Sequence, residues 1–88
     1  MTTVTNMVSN KGNKIPNQFI IYTTGGSIFQ SYNSTIVKIE NGKPYLDLNK
    51  WDYSKTTGKY RNIFLNENKK ETEKKIKSGE YILIDLNK

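Results

Sequence analysis

Residue types that carry out enzyme chemistry are scarce in this sequence. It contains no histidine and no cysteine, which removes Ser-His-Asp and Cys-His nucleophiles, a histidine general base and the usual nitrogen and sulfur ligands of zinc. Asp47, Asp52 and Asp85 are candidates for a divalent cation site, but nothing in their spacing brings them together. Aspartates at strand ends and helix starts usually form turns or caps. We therefore expect no catalytic residues, no metal site and no cofactor.

Residues 56–59 (Thr-Thr-Gly-Lys) have some features of a phosphate-binding loop but lack its defining residues. Such a loop needs an earlier glycine and a serine or threonine after the lysine, and this chain has Tyr53 and Tyr60 at those positions. Gly58 falls inside a helical pattern, where glycine costs about 1 kcal/mol relative to alanine. We therefore expect Gly58 to allow the close approach of a neighbouring strand or a partner.

Cationic side chains are interleaved with aromatic ones in the C-terminal half. The net charge is +6, and nine of the 14 Lys and Arg residues lie between positions 50 and 77. A surface of this kind suits single-stranded nucleic acid, through phosphate contacts and base stacking, and its positive potential also attracts nucleoproteins. Eight residues are predicted to bind the partner: Lys50, Tyr53, Lys55, Lys59, Tyr60, Arg61, Lys70 and Lys74.

These residues also have a structural interpretation. Trp51, Tyr60 and Phe64 are of types that build a small core, and Arg61 has carboxylates nearby with which to pair, at Asp52 or Glu67. The lysines of the second predicted helix would then form a solvated face with ion pairs three or four residues apart. The predicted pairs are Glu71 with Lys74 and Lys75, and Glu73 with Lys77.

Two helices are predicted to present the cationic residues. Ser54 caps the first helix, whose packing residues recur at a spacing near 3.6: Tyr53, Thr57, Tyr60, Ile63 and Phe64. Asn68 and Glu71 match a capping box at the start of the second helix, which ends at Gly79. Only Thr72 and Ile76 of the second helix are available for burial, so this helix is expected to lie on the surface.

A first hairpin is predicted in residues 18–32. The Gly25-Gly26 pair suits a two-residue type I′ turn, which would pair Thr24 with Ser27. Aromatic residues would then face each other across the strands, with Tyr22 opposite Phe29 and Phe19 opposite Tyr32. Two apolar faces indicate that this ribbon lies centrally or that one face binds something.

A second hairpin is predicted in residues 35–48 around Asn41-Gly42, with Glu40 opposite Lys43. This register gives one core face and one wet face, and it assigns Ile36 and Asp47 to the wet face. Pro44 has no N–H to donate, so its strand is expected to be an edge or to begin after the proline.

The remaining segments complete one α+β domain over residues 1–88. Residues 1–9 contain a candidate first strand, residues 9–17 have the glycine and proline of a surface loop, and residues 81–86 are β-branched enough for a last strand. We expect an antiparallel sheet of four to five strands, made from the two hairpins and the C-terminal strand. The two short helices would pack on one face or end of it.

The composition also bears on the compartment. The absence of cysteine favours a reducing interior. The longest apolar stretch, residues 19–22, is far below the roughly 20 residues of a membrane span, and no signal-peptide pattern opens the chain. We expect a cytoplasmic protein that does not contact a membrane.

Three segments carry a resemblance: residues 31–36 (SYNSTI), residues 51–65 (WDYSKTTGKYRNIFL) and residues 76–81 (IKSGEY). On these motifs the chain, over residues 18–86, resembles a family of small uncharacterised proteins of bacteriophages and other mobile elements. The resemblance implies a viral accessory protein that acts in the host cytoplasm. Such proteins are often antagonists of host defence, including inhibitors of CRISPR nucleases. The family supplies no catalytic residues to carry over.

The leading hypothesis is therefore a non-enzymatic phage protein that binds and inhibits a host protein or ribonucleoprotein of the defence machinery, with a CRISPR effector as the suspected partner. The first alternative is direct binding of single-stranded nucleic acid in phage replication or transcription. The second is a minor structural or assembly protein that associates through an exposed sheet edge. The sequence leaves the oligomeric state open.

Overall fold

The structure, a computed structural model, describes residues 2–87. Within these residues, six strands form one sheet whose spatial order equals their order in the chain. The strands are β1 (Thr3–Val8), β2 (Lys14–Thr23), β3 (Gly26–Ser31), β4 (Ser34–Glu40), β5 (Lys43–Asp47) and β6 (Ile82–Ile84), and the helices α1 (Lys55–Leu65) and α2 (Lys69–Ser78) connect β5 to β6. The predicted α+β class with two short helices is confirmed. The sheet has one strand more than the four to five expected.

The last strand joins the sheet in a parallel orientation. β6 lies alongside β5, with Tyr45 opposite Ile82 and Leu46 opposite Leu83, because the two helices carry the chain back before the strand begins. All other neighbouring pairs are antiparallel. Pro44 pairs with Ile39 of β4, but the pairing of β5 with β6 begins only at Tyr45, so the missing N–H of the proline removes no bond to β6. Both expectations for this strand are wrong, because β5 begins at Lys43, before the proline, and lies between β4 and β6 rather than at an edge.

The hairpin around Asn41-Gly42 has the predicted register, with Glu40 opposite Lys43. Asn41 and Gly42 have φ values of 52° and 80°, as a type I′ turn requires. The prediction that Ile36 and Asp47 face solvent is wrong. A register shift in β4 leaves Ile36 outside the pairing with β3 and buries it beside Val37, since a bulge redirects side chains.

Asp47 is buried for a different reason. Its carboxylate oxygens accept hydrogen bonds from the backbone N–H groups of Asn49, at 3.1 Å, and Leu86, at 2.8 Å. A carboxylate that accepts such bonds is satisfied without water. Asp47 therefore fixes the turn after β5 and the end of the chain after β6.

The predicted register of the first hairpin is wrong. Thr23 pairs with Gly26, and Tyr22 pairs with Ser27 rather than Phe29, so the loop consists of Thr24 and Gly25. The reason is the pairing of β3 with β4. A Cβ on Gly26 would lie 1.8 Å from the carbonyl oxygen of Ile39, so Gly26 is needed within β3 and not in the turn.

The connection between β1 and β2 is shorter than expected. β2 begins at Lys14, so residues 14–17, expected to be loop, belong to the strand. A register shift falls between Asn6 and Val8. The Asn6 side-chain amide donates to the carbonyl oxygens of Ile15, at 2.7 Å, and Gln18, at 3.2 Å. This amide holds the irregular stretch of β2 in place.

The helices cover one face of the sheet. Ser54 caps α1 as predicted, since its Oγ accepts from the N–H of Thr57 at 3.1 Å. Thr57 Oγ1 lies 3.0 Å from Ser31 Oγ, and the Phe64 ring stacks on Phe29 with centroids 5.7 Å apart. The predicted packing face of α1 is confirmed at Thr57, Tyr60 and Phe64, which are buried or pack against the core, but is wrong at Tyr53 and Ile63. The fully buried residues of α1 are Thr57, Gly58 and Arg61, whereas Tyr53 and Ile63 are 48% and 56% exposed.

The start and end predicted for α2 are confirmed. Asn68 and Glu71 form the capping box, and Gly79 follows the helix with φ 85°. Thr72 is buried, and Ile76 packs against the core. The ion pairs predicted within α2 are absent from the described residues, where the one ion pair of Lys75 is to Glu67, just before the helix.

Candidate partner-binding groove

A groove of about 530 Å³ opens between the start of α1 and the start of α2. We call it the α1–α2 groove, and its lining residues are Asp52, Tyr53, Ser54, Lys55, Gly58, Lys59, Arg61, Asn62 and Lys69. Four residues predicted to bind a partner line it: Tyr53, Lys55, Lys59 and Arg61. Local sequence explains their placement, because the Ser54 cap starts α1 at Lys55 and successive turns bring positions 55, 58, 59 and 62 near one another.

Asp52 anchors the floor of the α1–α2 groove. Its Oδ1 lies 3.2 Å from Arg61 Nη1, and its Oδ2 lies 2.7 Å from Lys69 Nζ. Burial alone would raise the pKa of Asp52, but the hydrogen bonds from Lys69 and Arg61 hold it below its usual value. Asp52 therefore stays ionised and ties α1 to the start of α2.

Arg61 is 1% exposed, so it does not lie on the surface where the sequence placed it. Its Nη1 donates to the Trp51 carbonyl oxygen, and its Nη2 donates to Asn62 Oδ1 at 2.9 Å. The guanidinium also lies 5.1 Å from the centre of the Trp51 ring. These contacts match the structural interpretation, in which Arg61 pairs with Asp52 and Trp51 packs inward. Arg61 therefore supports the groove wall, and its buried guanidinium adds positive charge behind the exposed surface of the groove.

Two lysines and a tyrosine form the accessible part of the groove. Lys55 and Lys59 are exposed on successive turns of α1. Lys59 Nζ lies 5.4 Å from the Tyr60 ring centre, and within residues 2–87 neither lysine forms an ion pair. Tyr53, half exposed, lies beside them. This leaves two cations and one aromatic face for a ligand.

The other predicted partner-binding residues lie outside the groove. Lys50 donates from Nζ to Ser34 Oγ at 2.7 Å. Tyr60 is partly buried against the core and lines a second cleft with Ile15 and Ile63. Lys70 and Lys74 are exposed on α2 but do not line either cleft.

The sequence argument did not place Asp52 and Lys69 among the partner-binding residues. The only signal for them was the position of Asp52 just before the Ser54 cap and of Lys69 at the first position of α2.

Gly58 has no close approach to a strand. A Cβ there would lie 3.6 Å from Asp52 Oδ1 and 3.7 Å from Arg61 Nη1, which is ordinary contact.

A second polar cluster surrounds Glu67, whose side chain is 3% exposed. Its carboxylate accepts from Lys75 Nζ and Tyr81 OH, both at 2.7 Å, and from Thr72 Oγ1 at 2.5 Å. Burial alone would raise the pKa of Glu67, but these donors hold it below its usual value. Burial and the bond to Glu67 raise the pKa of Tyr81 to about 12. This cluster is structural and joins α2 to the segment before β6.

The exposed groove side chains are of types that bind anionic groups. Lysine ammonium groups attract phosphate and carboxylate, and a tyrosine ring beside them offers a stacking surface. Among residues 2–87, no group of three histidine, cysteine or acidic side chains is placed to hold a metal ion. Neither helix in this part of the chain has the length and apolar character of a membrane span.

Comparison with known proteins assigns the chain to a family. The model of a family of unknown function, DUF8033, matches residues 2–80, so the protein belongs to that family. No curated protein and no solved structure gives a significant match.

Proposed function

We propose that this protein is a non-enzymatic binding protein that docks onto an anionic partner through the α1–α2 groove. The observation that carries the proposal is the pair of accessible lysines, Lys55 and Lys59, beside the half-exposed Tyr53. A positive groove of this kind raises the rate of encounter with an anionic surface and orients it.

Ion pairs connect the two walls of the groove. Asp52 bridges Arg61 and Lys69, which come from different helices, and Arg61 is held by the Trp51 carbonyl oxygen as well. A ligand would therefore lose little binding energy in ordering the groove walls. Asp52 neutralises part of the positive charge of Arg61 and Lys69. Ligand contacts are therefore expected mainly from Lys55 and Lys59.

The proposed partner is a host-defence ribonucleoprotein, and a CRISPR effector is the first candidate. Support comes from the resemblance of residues 51–65 to small phage proteins and from the positive groove in that same segment. Such an effector carries nucleic acid, and the phosphates of that nucleic acid are the anionic groups that the groove lysines would contact. The protein would act in the host cytoplasm by occupying a surface of the effector, without turnover of a substrate.

A second candidate function is direct binding of single-stranded nucleic acid, and the exposure of Tyr53 favours it. A base stacked on this ring would place its flanking phosphates near Lys55 and Lys59. Stacking on an aromatic side chain contributes about 1 to 3 kcal/mol per base. This geometry needs no partner protein.

One pair of assays separates the two candidates. The first measures anisotropy of a labelled single-stranded oligonucleotide across a salt series, and the second measures target cleavage by a purified, guide-loaded CRISPR effector. Inhibition of cleavage without affinity for the bare oligonucleotide supports the antagonist function. Tight oligonucleotide binding that weakens steeply with salt supports the nucleic-acid function. Failure of both assays contradicts the proposal.

A further inference from the structure

The face of the sheet opposite the helices carries a row of apolar side chains. Phe29 stacks on Phe64 of α1, so the strand positions next to Phe29 point away from the helices. Following the pairing from Ile28 across all six strands defines what we call the open-face row: Val4, Ile21, Ile28, Lys38, Tyr45 and Ile82. All but Lys38 are aliphatic or aromatic.

The open-face row is not part of the core. The partly buried residues that pack against the core include Ile20, Ile39 and Leu83, which point the other way, but none from the row. Val4 is 61% exposed at one end of it. The other residues of the row are half-buried, and within residues 2–87 both helices pack on the other side of the sheet. Apolar rows across an open sheet usually mark an interaction surface.

The distribution of charge identifies the kind of partner. Residues 50–77 hold nine cations and four anions, and the rest of the chain holds five cations and four anions. The net charge of +6 therefore resides almost entirely in the helical layer. Lys38, the one charge in the row, lies 3.4 Å from the carboxylate of Glu40. The open face is close to neutral and apolar, so it is suited to a surface like itself.

We propose that the open-face row is the contact surface of a homodimer, in which two copies pack sheet against sheet. Packed sheets lie about 10 Å apart, and the two helical layers would lie farther apart still, on the outer sides. That separation exceeds the Debye length of about 8 Å at physiological salt, so the positive helices do not oppose association. The dimer would carry an α1–α2 groove on each outer side. This inference does not depend on the function proposed for the groove.

The size of the face sets the strength of the contact. Six strands about 4.8 Å apart and about 20 Å long give a flat footprint of about 500 Å² per copy. A standard stable interface buries about 800 Å² per partner. The dimer is therefore expected to be weak and reversible, with a dissociation constant in the micromolar range. The aliphatic stem of Lys38 can cover neighbouring apolar groups while its ammonium remains paired with Glu40.

The test is sedimentation velocity of the full chain over a concentration series, from micromolar to millimolar. The mass should rise from 10.2 kDa toward twice that value. Ile28→Lys, at the centre of the row, should keep the protein monomeric throughout. Ile63→Lys is the matched control, because Ile63 is 56% exposed on α1, and it should dimerise like the wild type.

A gain-of-contact variant keeps the test informative if Ile28→Lys fails to fold. Lys38→Leu replaces the one charge in the row and should tighten the dimer about tenfold, the effect of one more buried aliphatic side chain. A wild-type chain that stays monomeric at millimolar concentration would overturn the proposal. So would a folded Ile28→Lys variant that dimerises normally, because association would then use another surface such as the edge strand β1.

Discussion

Substitution of Gly26 by alanine should unfold the sheet locally, although Gly26 is not in a turn. Gly26 lies in β3 between Thr23 of β2 and Glu40 of β4. An added Cβ would lie 1.8 Å from the carbonyl oxygen of Ile39 and 2.8 Å from the carbonyl carbon of the same residue, and real Cβ contacts do not fall below 3.0 Å. The obstacle is backbone, so a change of side-chain rotamer cannot relieve it.

The cost follows from what must move. Overpacking alone typically costs about 1 to 3 kcal/mol, and drawing β4 away from β3 weakens a ladder hydrogen bond worth about 1 kcal/mol. We expect Gly26→Ala to lower the free energy of unfolding by about 3 kcal/mol. For a domain of this size each kcal/mol shifts Tm by about 4 to 8 °C, so the loss should be easily measured by thermal circular dichroism.

The neighbouring glycine provides the control. A Cβ on Gly25 would lie 3.6 Å from Asn41 Oδ1, which is ordinary contact, so Gly25→Ala should stay within about 0.5 kcal/mol of the wild type. The two variants differ by one position and by nothing in composition. Equal melting temperatures for Gly26→Ala and the wild type would refute the register that places Gly26 within β3.

Three further predictions, made with four variants, test the packing of the helices. Phe64→Ala should cost about 3 kcal/mol because the ring stacks on the core, whereas Ile63→Ala, at a position 56% exposed, should leave Tm nearly unchanged; equal losses would contradict the orientation of α1. Folding lowers the pKa of Glu67 and so favours its ionised form. Its contribution to the free energy of unfolding is therefore present above about pH 4.3 and is lost as the pH falls further. Thermal melts of Glu67→Gln should show lower stability at neutral pH and a smaller decline in acid, and an unchanged acid profile would count against the cluster. The pKa of Tyr81 is raised to about 12, so its contribution to the free energy of unfolding is present below about pH 10 and is lost between pH 10 and 12. Tyr81→Phe should therefore reduce the loss of stability in alkali. A phenolate titration in which all tyrosines ionise near pH 10 would disprove the shift.

Local signals predicted the features that depend on local chemistry. The Asn41-Gly42 turn, the Ser54 cap and the Asn68–Glu71 capping box depend on residues within four positions of each other, and all three are confirmed. The register of the first hairpin was predicted wrongly because Gly26 was assigned to the turn. A glycine is needed at this position because the backbone of Ile39, in the neighbouring strand, leaves no room for a Cβ. Ile36 was assigned to solvent because a bulge changes the alternation of faces without a distinct sequence signal.

The sequence identified residues that line the groove but did not predict the groove itself. The stretch that contains Lys55 and Lys59 was correctly located on α1, but the sides of that helix on which Arg61 and Ile63 lie were not predicted. Arg61 is buried and Ile63 is exposed, the reverse of what side-chain polarity favours. The inward turn of Arg61 depends on acceptors from outside the helix, Asp52 and the Trp51 carbonyl oxygen. Helical periodicity alone does not contain that information.

The most direct test of groove-mediated binding is a titration of a purified, guide-loaded CRISPR effector, with inhibition of target cleavage as the readout. Three proteins are compared: the wild type, the groove variant Lys55→Glu/Lys59→Glu, and a control with the same change of charge at exposed positions outside the groove, Lys11→Glu/Lys14→Glu. Both variants should keep wild-type stability within about 0.5 kcal/mol, as surface changes usually do. We predict that the wild type and the control inhibit alike and that the groove variant is weaker by about tenfold or more. Equal inhibition by the groove variant and the wild type would contradict the assignment of the groove as the binding surface.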